Sequence, residues 1–169
     1  TPSDEIIEMY ISGLSDNLSW MTDVLGMENP VNRGNVEFVN MPGAGSIQTM
    51  TGNGAFGGDG YMYFKMKAAV EERSDSIDVW YSAPAKHLIQ DRDTRIVHGV
   101  QAEVDGKTVN LRARNGVVLC CGGFESNKQM LQDYAVKANL VSLGSALFNT
   151  GDGIVMAQEV GANLWHMGN

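Results

Sequence analysis

An apolar run that stops on two glycines, Gly116-Val117-Val118-Leu119-Cys120-Cys121-Gly122-Gly123-Phe124, constrains this chain more than any other feature. Apolar residues at consecutive positions fill both faces of a strand, the pattern of a buried parallel strand. The closing glycines carry no Cβ, so the backbone at the end of that strand can approach a ligand. A second stretch, Asn149-Thr150-Gly151-Asp152-Gly153, reads as a turn leading into a helix. A helix start offers N–H groups and a positive dipole end to an anion. Together the two stretches predict a ligand site built largely from backbone.

The bulk numbers narrow the class. A chain of 169 residues is ample for one domain and short for two. A formal net charge of -8 argues against a nucleic-acid surface, which needs clustered Lys and Arg. His87, His98 and His166 are scattered and the two cysteines are adjacent, so zinc-type ligand spacing cannot be assembled. Cys120 and Cys121 read as two small buried hydrophobes. No apolar run approaches the roughly 18–20 residues of a membrane span. The chain opens Thr1-Pro2 and closes Trp165-His166-Met167-Gly168-Asn169, and both ends read as cut. Targeting is therefore left open between cytoplasm and export.

Periodicity sets the order of elements. Ser3 is an expected N-cap for a helix with Ile6, Ile7, Tyr10 and Ile11 on one face. A second helix starts at Ser15 or Asp16, carries Leu18, Met21, Val24 and Leu25, and stops at Gly26. The stretch from Glu28 to Gly60, rich in Gly, Asn and Pro, reads as a long loop. A third helix is expected from Tyr61 to Arg73. Strands are expected at 77–81, 86–90 and 98–104; Asp105-Gly106 then turns the chain into a return strand with Val109, Leu111 and Ala113 on one side. Helices at 126–135 and 153–161 follow the apolar run. The order is α/β with an inserted antiparallel meander.

Gly52-Asn53-Gly54-Ala55-Phe56-Gly57 matches the G-x-G-x-x-G dinucleotide pattern. Two features argue against it. The residues before it, Ser46 to Thr51, are polar at alternate positions, and the next expected strand ends at Tyr81-Ser82 without the acidic residue that holds a ribose. A flexible glycine loop is the simpler reading.

The helical opening with Trp20-Met21 and Gly26, the Gly57-Gly58 loop entering the Tyr61 helix, and the meander form one ordered pattern. It is completed by Gly122-Gly123-Phe124 with Asn127, and by Thr150-Gly151-Asp152-Gly153 with Ala157, Gly161-Ala162 and Met167. The whole resembles the flavoprotein subunit family of fumarate reductases and succinate dehydrogenases, with the related 3-oxosteroid dehydrogenases and urocanate reductases. The resemblance is most specific from Pro84 to Met167. It implies an α/β, Rossmann-like FAD-binding domain, present here in part, with the inserted meander and flanking helices. Residues 1–169 would form a single unit, the middle of that domain, without the N-terminal fingerprint or the cap that follows.

Carried over by position, Ala85 would offer backbone groups to the adenine of FAD. Cys121, Gly122 and Gly123 would lie against the adenosine and pyrophosphate, with cysteines where the family usually has Ala-Thr. Thr150, Gly151 and Asp152 would sit near the dinucleotide, although Asp152 reads equally as a plain helix N-cap. The implied reaction is hydride transfer between flavin and an activated C=C bond, with an unsaturated small-molecule substrate and an electron donor as partners. This chain would supply no catalytic acid or base, and would be inactive alone. His166 is a candidate substrate contact or a partly exposed surface residue. The ten methionines suit adaptable packing or uncovered interfaces, through which such a piece would self-associate. The rival reading is a self-contained α/β ligand-binding module using the Gly52–Gly60 loop.

Overall fold

The computed structural model describes residues 2–28, 30–33, 39–46, 49–51, 60–135, 147–165 and 167. Two compact units divide the chain, residues 1–79 and residues 80–169.

In the first unit, α1 (Asp4–Leu14) begins after Ser3, whose carbonyl accepts from Ile7 N–H at 3.1 Å while its hydroxyl makes no cap bond. The apolar face expected for α1 exists, but none of its residues is buried. The short α2 (Asn17–Ser19) runs straight into a π-helical turn, Trp20–Val24. Gly26 ends it as expected, at φ 58°, a left-handed value that glycine adopts without a Cβ penalty. Met27 N–H then returns to the Met21 carbonyl at 3.0 Å. This sharp reversal places Met21, Leu25 and Met27 together, and they form the small core of the unit with Ala69 of α3 (Tyr61–Glu71). Lys65 of α3 donates to the Gly26 carbonyl at 2.8 Å, a cation on the carbonyl end of a helix.

The long loop expected between Glu28 and Gly60 needs correction. It contains a short antiparallel pair, β1 (Val31–Arg33) with β2 (Thr49–Thr51), and a 3-10 turn at Ala44–Ser46. The strand before the G-x-G-x-x-G segment is thus one of an antiparallel pair, unlike the parallel opening strand a dinucleotide fingerprint requires. Residues 52–59 of that segment lie outside the described residues.

The second unit is built on the expected meander. Strands β3 (Ala85–Gln90), β4 (Val97–Val104) and β5 (Lys107–Arg112) form an antiparallel sheet in the order β3-β4-β5. Val104 pairs with Lys107 across Asp105-Gly106, whose φ values of 50° and 71° are those of a type I′ turn. Register shifts in β3, between Ala85 and His87 and between Ile89 and Gln90, mark irregularities that twist the edge strand. At the β3–β4 turn, the Asp91 carboxylate accepts from Asp93 N–H (3.1 Å), Thr94 N–H (2.7 Å) and the Thr94 hydroxyl (2.8 Å). These bonds, the Thr94 N–H first, hold its carboxyl below the ordinary aspartate range. The turn is therefore fixed by side chain-to-backbone bonds.

Two short helices follow, α4 (Lys128–Tyr134) and α5 (Asp152–Glu159). Met156 on α5 is 2% exposed and Ala102 on β4 is 5% exposed. His87 Nδ1 lies 2.8 Å from Glu159 Oε2, and both the Gln90 amide (3.1 Å) and the Arg95 guanidinium (3.1 Å) donate to the Val160 carbonyl. The meander thus grips the C-terminal end of α5. His87 and His98 are exposed on the meander.

Two expected strands are absent. Residues 117–121 carry no strand pairing, Val118 is 86% exposed, and both cysteines are free and exposed instead of buried. Residues 77–81 are likewise irregular, with Tyr81 74% exposed. Both segments have the apolar composition of strands, but a strand exists only through the ladder it shares with a neighbour, and neither meets one among the described residues.

Gly99 on β4 tests the meander. A Cβ there would run into the Leu111 carbonyl oxygen of β5, backbone that cannot yield. Gly99→Ala is expected to destabilise the unit by about 1–3 kcal/mol, read as a lower urea midpoint; an unchanged midpoint would show that the β4–β5 spacing is wrong.

Candidate FAD-binding site

Six of the seven expected site residues come together where the double-glycine segment meets the start of α5. Gly151 N–H donates to the Gly123 carbonyl at 3.0 Å, and Ser126 N–H donates to the Asn149 carbonyl at 3.0 Å. Between these bonds the Asn127 side-chain amide donates to the Thr150 carbonyl at 2.9 Å. The two loops are fastened along their length by main-chain acceptors.

Glycine is required at these contacts for reasons of space. Gly122 sits at φ 75°, and a Cβ on it would collide with the Asn149 side chain. At Gly153 an added Cβ would stand 3.0 Å from the Cys121 Cβ and 3.3 Å from its Sγ. Loop and helix start approach each other as closely as the missing side chains permit. Gly151, at φ 86°, is the residue before α5, and Met130 and Phe124 pack on it.

Asp152 is the first helical residue; the N-cap position itself belongs to Gly151. Its carboxylate accepts from the Thr150 hydroxyl at 2.9 Å and lies beside the positive end of α5. The first-turn N–H groups of α5 cannot be used by helical carbonyls. The site therefore has two faces of opposite demand: N–H donors suited to phosphate oxygens, and a carboxylate suited to hydroxyl groups. Ala85 is exposed at the start of β3, paired with Ala102. It belongs to the same frame because β3 carries the His87 and Gln90 contacts to α5.

Three side chains were not among the expected site residues and help to organise it: Glu125, Asn127 and Asn149. Asn149 donates to Glu125 Oε1 at 2.6 Å, and this bond holds the Glu125 carboxyl below the ordinary glutamate range. Glu125 and Asn149 stand two residues from Gly123 and Gly151, and Asn127 stands four residues beyond Gly123, but their bonds to one another and to the turns are not written in that spacing. His166 lies outside the described residues, and no cluster of three metal-ligating side chains exists among the described ones. No described helix is long and apolar enough to cross a membrane.

With this geometry in place, comparison defines the class. A model of the FAD binding domain matches residues 3–168, and the chain belongs to that family; its cofactor is FAD. The chain is 39% identical over 61 residues to a 3-oxosteroid 1-dehydrogenase of Comamonas testosteroni, covering 36% of this chain and 10% of that protein. It is 30% identical over 112 residues to a digoxin reductase of Eggerthella lenta, covering 57% of this chain and 19% of the relative. Among solved structures, the open conformation of a flavocytochrome c3 fumarate reductase superposes with a TM-score of 0.69 at 23% identity, over 88% of this chain and 24% of that one. That likeness is one of fold. These matches span about a tenth to a quarter of the relatives' lengths.

The depressed Glu125 value has a direct consequence. Its stabilising contribution is present above the unfolded-state value and is lost as pH falls through the lower folded-state value. In a carboxyl-carbon NMR titration Glu125 is expected to titrate below an ordinary glutamate, and Asn149→Ala to move it back up. An unmoved midpoint in that variant would remove Asn149 as the cause.

Proposed function

We propose that this chain forms the cofactor-holding part of an FAD-dependent oxidoreductase that moves a hydride between flavin and a C=C bond activated by a neighbouring carbonyl or carboxylate. The observation that carries the reading is the interlocked pair of glycine turns at the start of α5, in a chain of the FAD-binding family. The relatives support the reaction class: they are named for acting on 3-oxosteroids and digoxin. The finer architecture in this reading is a Rossmann-like domain into which the β3–β5 meander is inserted.

The residues present fit the cofactor. Gly122 leaves its backbone without a Cβ, and Gly153 lets the helix start approach the Cys121 segment. In this reading Cys121, Gly122 and Gly123 lie along the adenosine and pyrophosphate, with main-chain N–H groups taking the phosphate oxygens. Thr150, Gly151 and Asp152 face the dinucleotide, and the Asp152 carboxylate accepts from a sugar hydroxyl. A carboxylate so close to the helix start would repel a free phosphate, so a ligand bearing both hydroxyls and phosphates suits the site better than an inorganic anion. Ala85 presents backbone to the adenine. FAD bound there would supply the hydride chemistry. This chain's residues bind and orient it and supply no proton donor to the substrate.

The electron donor and the unsaturated substrate are partners of the whole protein in this proposal. So is self-association of the isolated chain, which rests on apolar side chains left exposed: Val118 at 86% and Phe148 at 90%.

The full-length protein is expected to purify yellow, to bleach with a reductant and to recover its colour on addition of an unsaturated ketone or acid. A colourless protein that takes up no added FAD would sink the proposal. Within a yellow protein, Gly122→Ala is expected to weaken FAD binding about tenfold or more, through a strained left-handed backbone and the clash with Asn149, a cost of about 1–3 kcal/mol. Flavin fluorescence on titration of the apoprotein measures it.

A further inference from the structure

Asn127 makes four hydrogen bonds at once. Its N–H donates to the Phe124 carbonyl at 2.8 Å and its carbonyl accepts from Leu131 N–H at 3.0 Å. Its side-chain oxygen accepts from Met130 N–H at 3.1 Å, capping α4, while its side-chain nitrogen donates to the Thr150 carbonyl at 2.9 Å. The amide can satisfy both side-chain bonds in one orientation only, because oxygen accepts and nitrogen donates. The residue is half-buried, with its backbone extended at φ -101° and ψ 98°.

Capping alone does not call for asparagine. Aspartate and serine cap helices about as well, since each offers an oxygen to the first-turn N–H groups. What asparagine adds is the donor, and that donor is spent on the residue immediately before Gly151. Around it, Ser126 N–H holds the Asn149 carbonyl, Gly151 N–H holds the Gly123 carbonyl, and Met130 packs on Gly151. The side chain of Asn127 is the member of this set that joins the start of α4 to the turn entering α5 by a hydrogen bond.

We infer that Asn127 is a positioning residue for the dinucleotide: its amide fixes the Thr150-Gly151 turn and so sets where the first-turn N–H groups of α5 and the Asp152 carboxylate point. The inference rests on the FAD reading above. Asn127 itself need not touch the cofactor. Without its donor the Thr150 carbonyl loses that partner, and the turn can rotate away from an orientation that the remaining Ser126–Asn149 and Gly151–Gly123 bonds define only loosely.

The substitution that isolates this role is Asn127→Asp in the full-length protein. It keeps the α4 cap, removes the donor and sets a carboxylate against the Thr150 carbonyl. Asn127→Ser keeps a capping oxygen but is too short to reach Thr150, and so supplies a second variant should the first fold poorly. Both are expected to raise the dissociation constant for FAD about tenfold, with the apoprotein's melting temperature close to wild type for the serine variant. Gly122→Ala serves as the control for the site. If the Asn127 variants bind FAD within twofold of wild type while Gly122→Ala binds weakly, the positioning role is overturned and the site stands. Should all three bind like wild type, the site itself is misplaced and the inference goes with it. A lower melting temperature with unchanged FAD affinity would reduce Asn127 to a helix cap and also overturn it.

Discussion

The second unit depends on the closure of two glycine turns upon each other. The bond from Gly151 N–H to the Gly123 carbonyl joins segments distant in sequence, and every other feature of the candidate site is arranged around it. Gly122 and Gly153 permit the approach, and Ser126 N–H and the Asn127 side-chain amide extend the fastening back to the Asn149 and Thr150 carbonyls. Individually such bonds contribute about 0.5–1.5 kcal/mol. Their effect here is geometric: three in register leave the start of α5 one direction in which to point.

That direction matters because the charge at the site is mixed. The end of a short helix attracts anions, yet two carboxylates, Glu125 and Asp152, stand within the same turns. Each is engaged by a neutral donor, Asn149 for Glu125 and the Thr150 hydroxyl for Asp152. Neutral partners leave the local charge negative. Under the proposed FAD reading, this arrangement favours a ligand that also offers hydroxyl donors over a simple anion.

Much of the second unit was legible in the sequence, and the reasons are local. The meander shows itself by alternation and by Asp105-Gly106, whose turn type depends on two adjacent residues. The start of α5 is written in Gly151-Asp152. The apolar run 117–121 misled because a strand's composition is local while its ladder is not; the residues are suited to a sheet, yet no neighbour among the described residues pairs with them. Cys120 and Cys121 were expected to be buried for the same reason. In the first unit the β1–β2 pair escaped notice because three-residue strands are too short to show a period. Among site residues, glycines are conspicuous through their backbone role, whereas Asn127 and Asn149 act through long-range side-chain bonds that no spacing rule announces.

The grip of the meander on α5 has an implication for how this region tolerates change. Val160 receives two donors, from Gln90 and Arg95, but contributes only its carbonyl oxygen to either. Any residue that keeps the backbone path could make the same contribution, so position 160 can drift freely among apolar residues. The burden of identity falls on the partners, and Arg95 bears a second one, since its backbone holds a left-handed φ of 62°. In related chains, variation at this junction should therefore be lopsided: permissive at position 160 and restrictive on the turn that holds it.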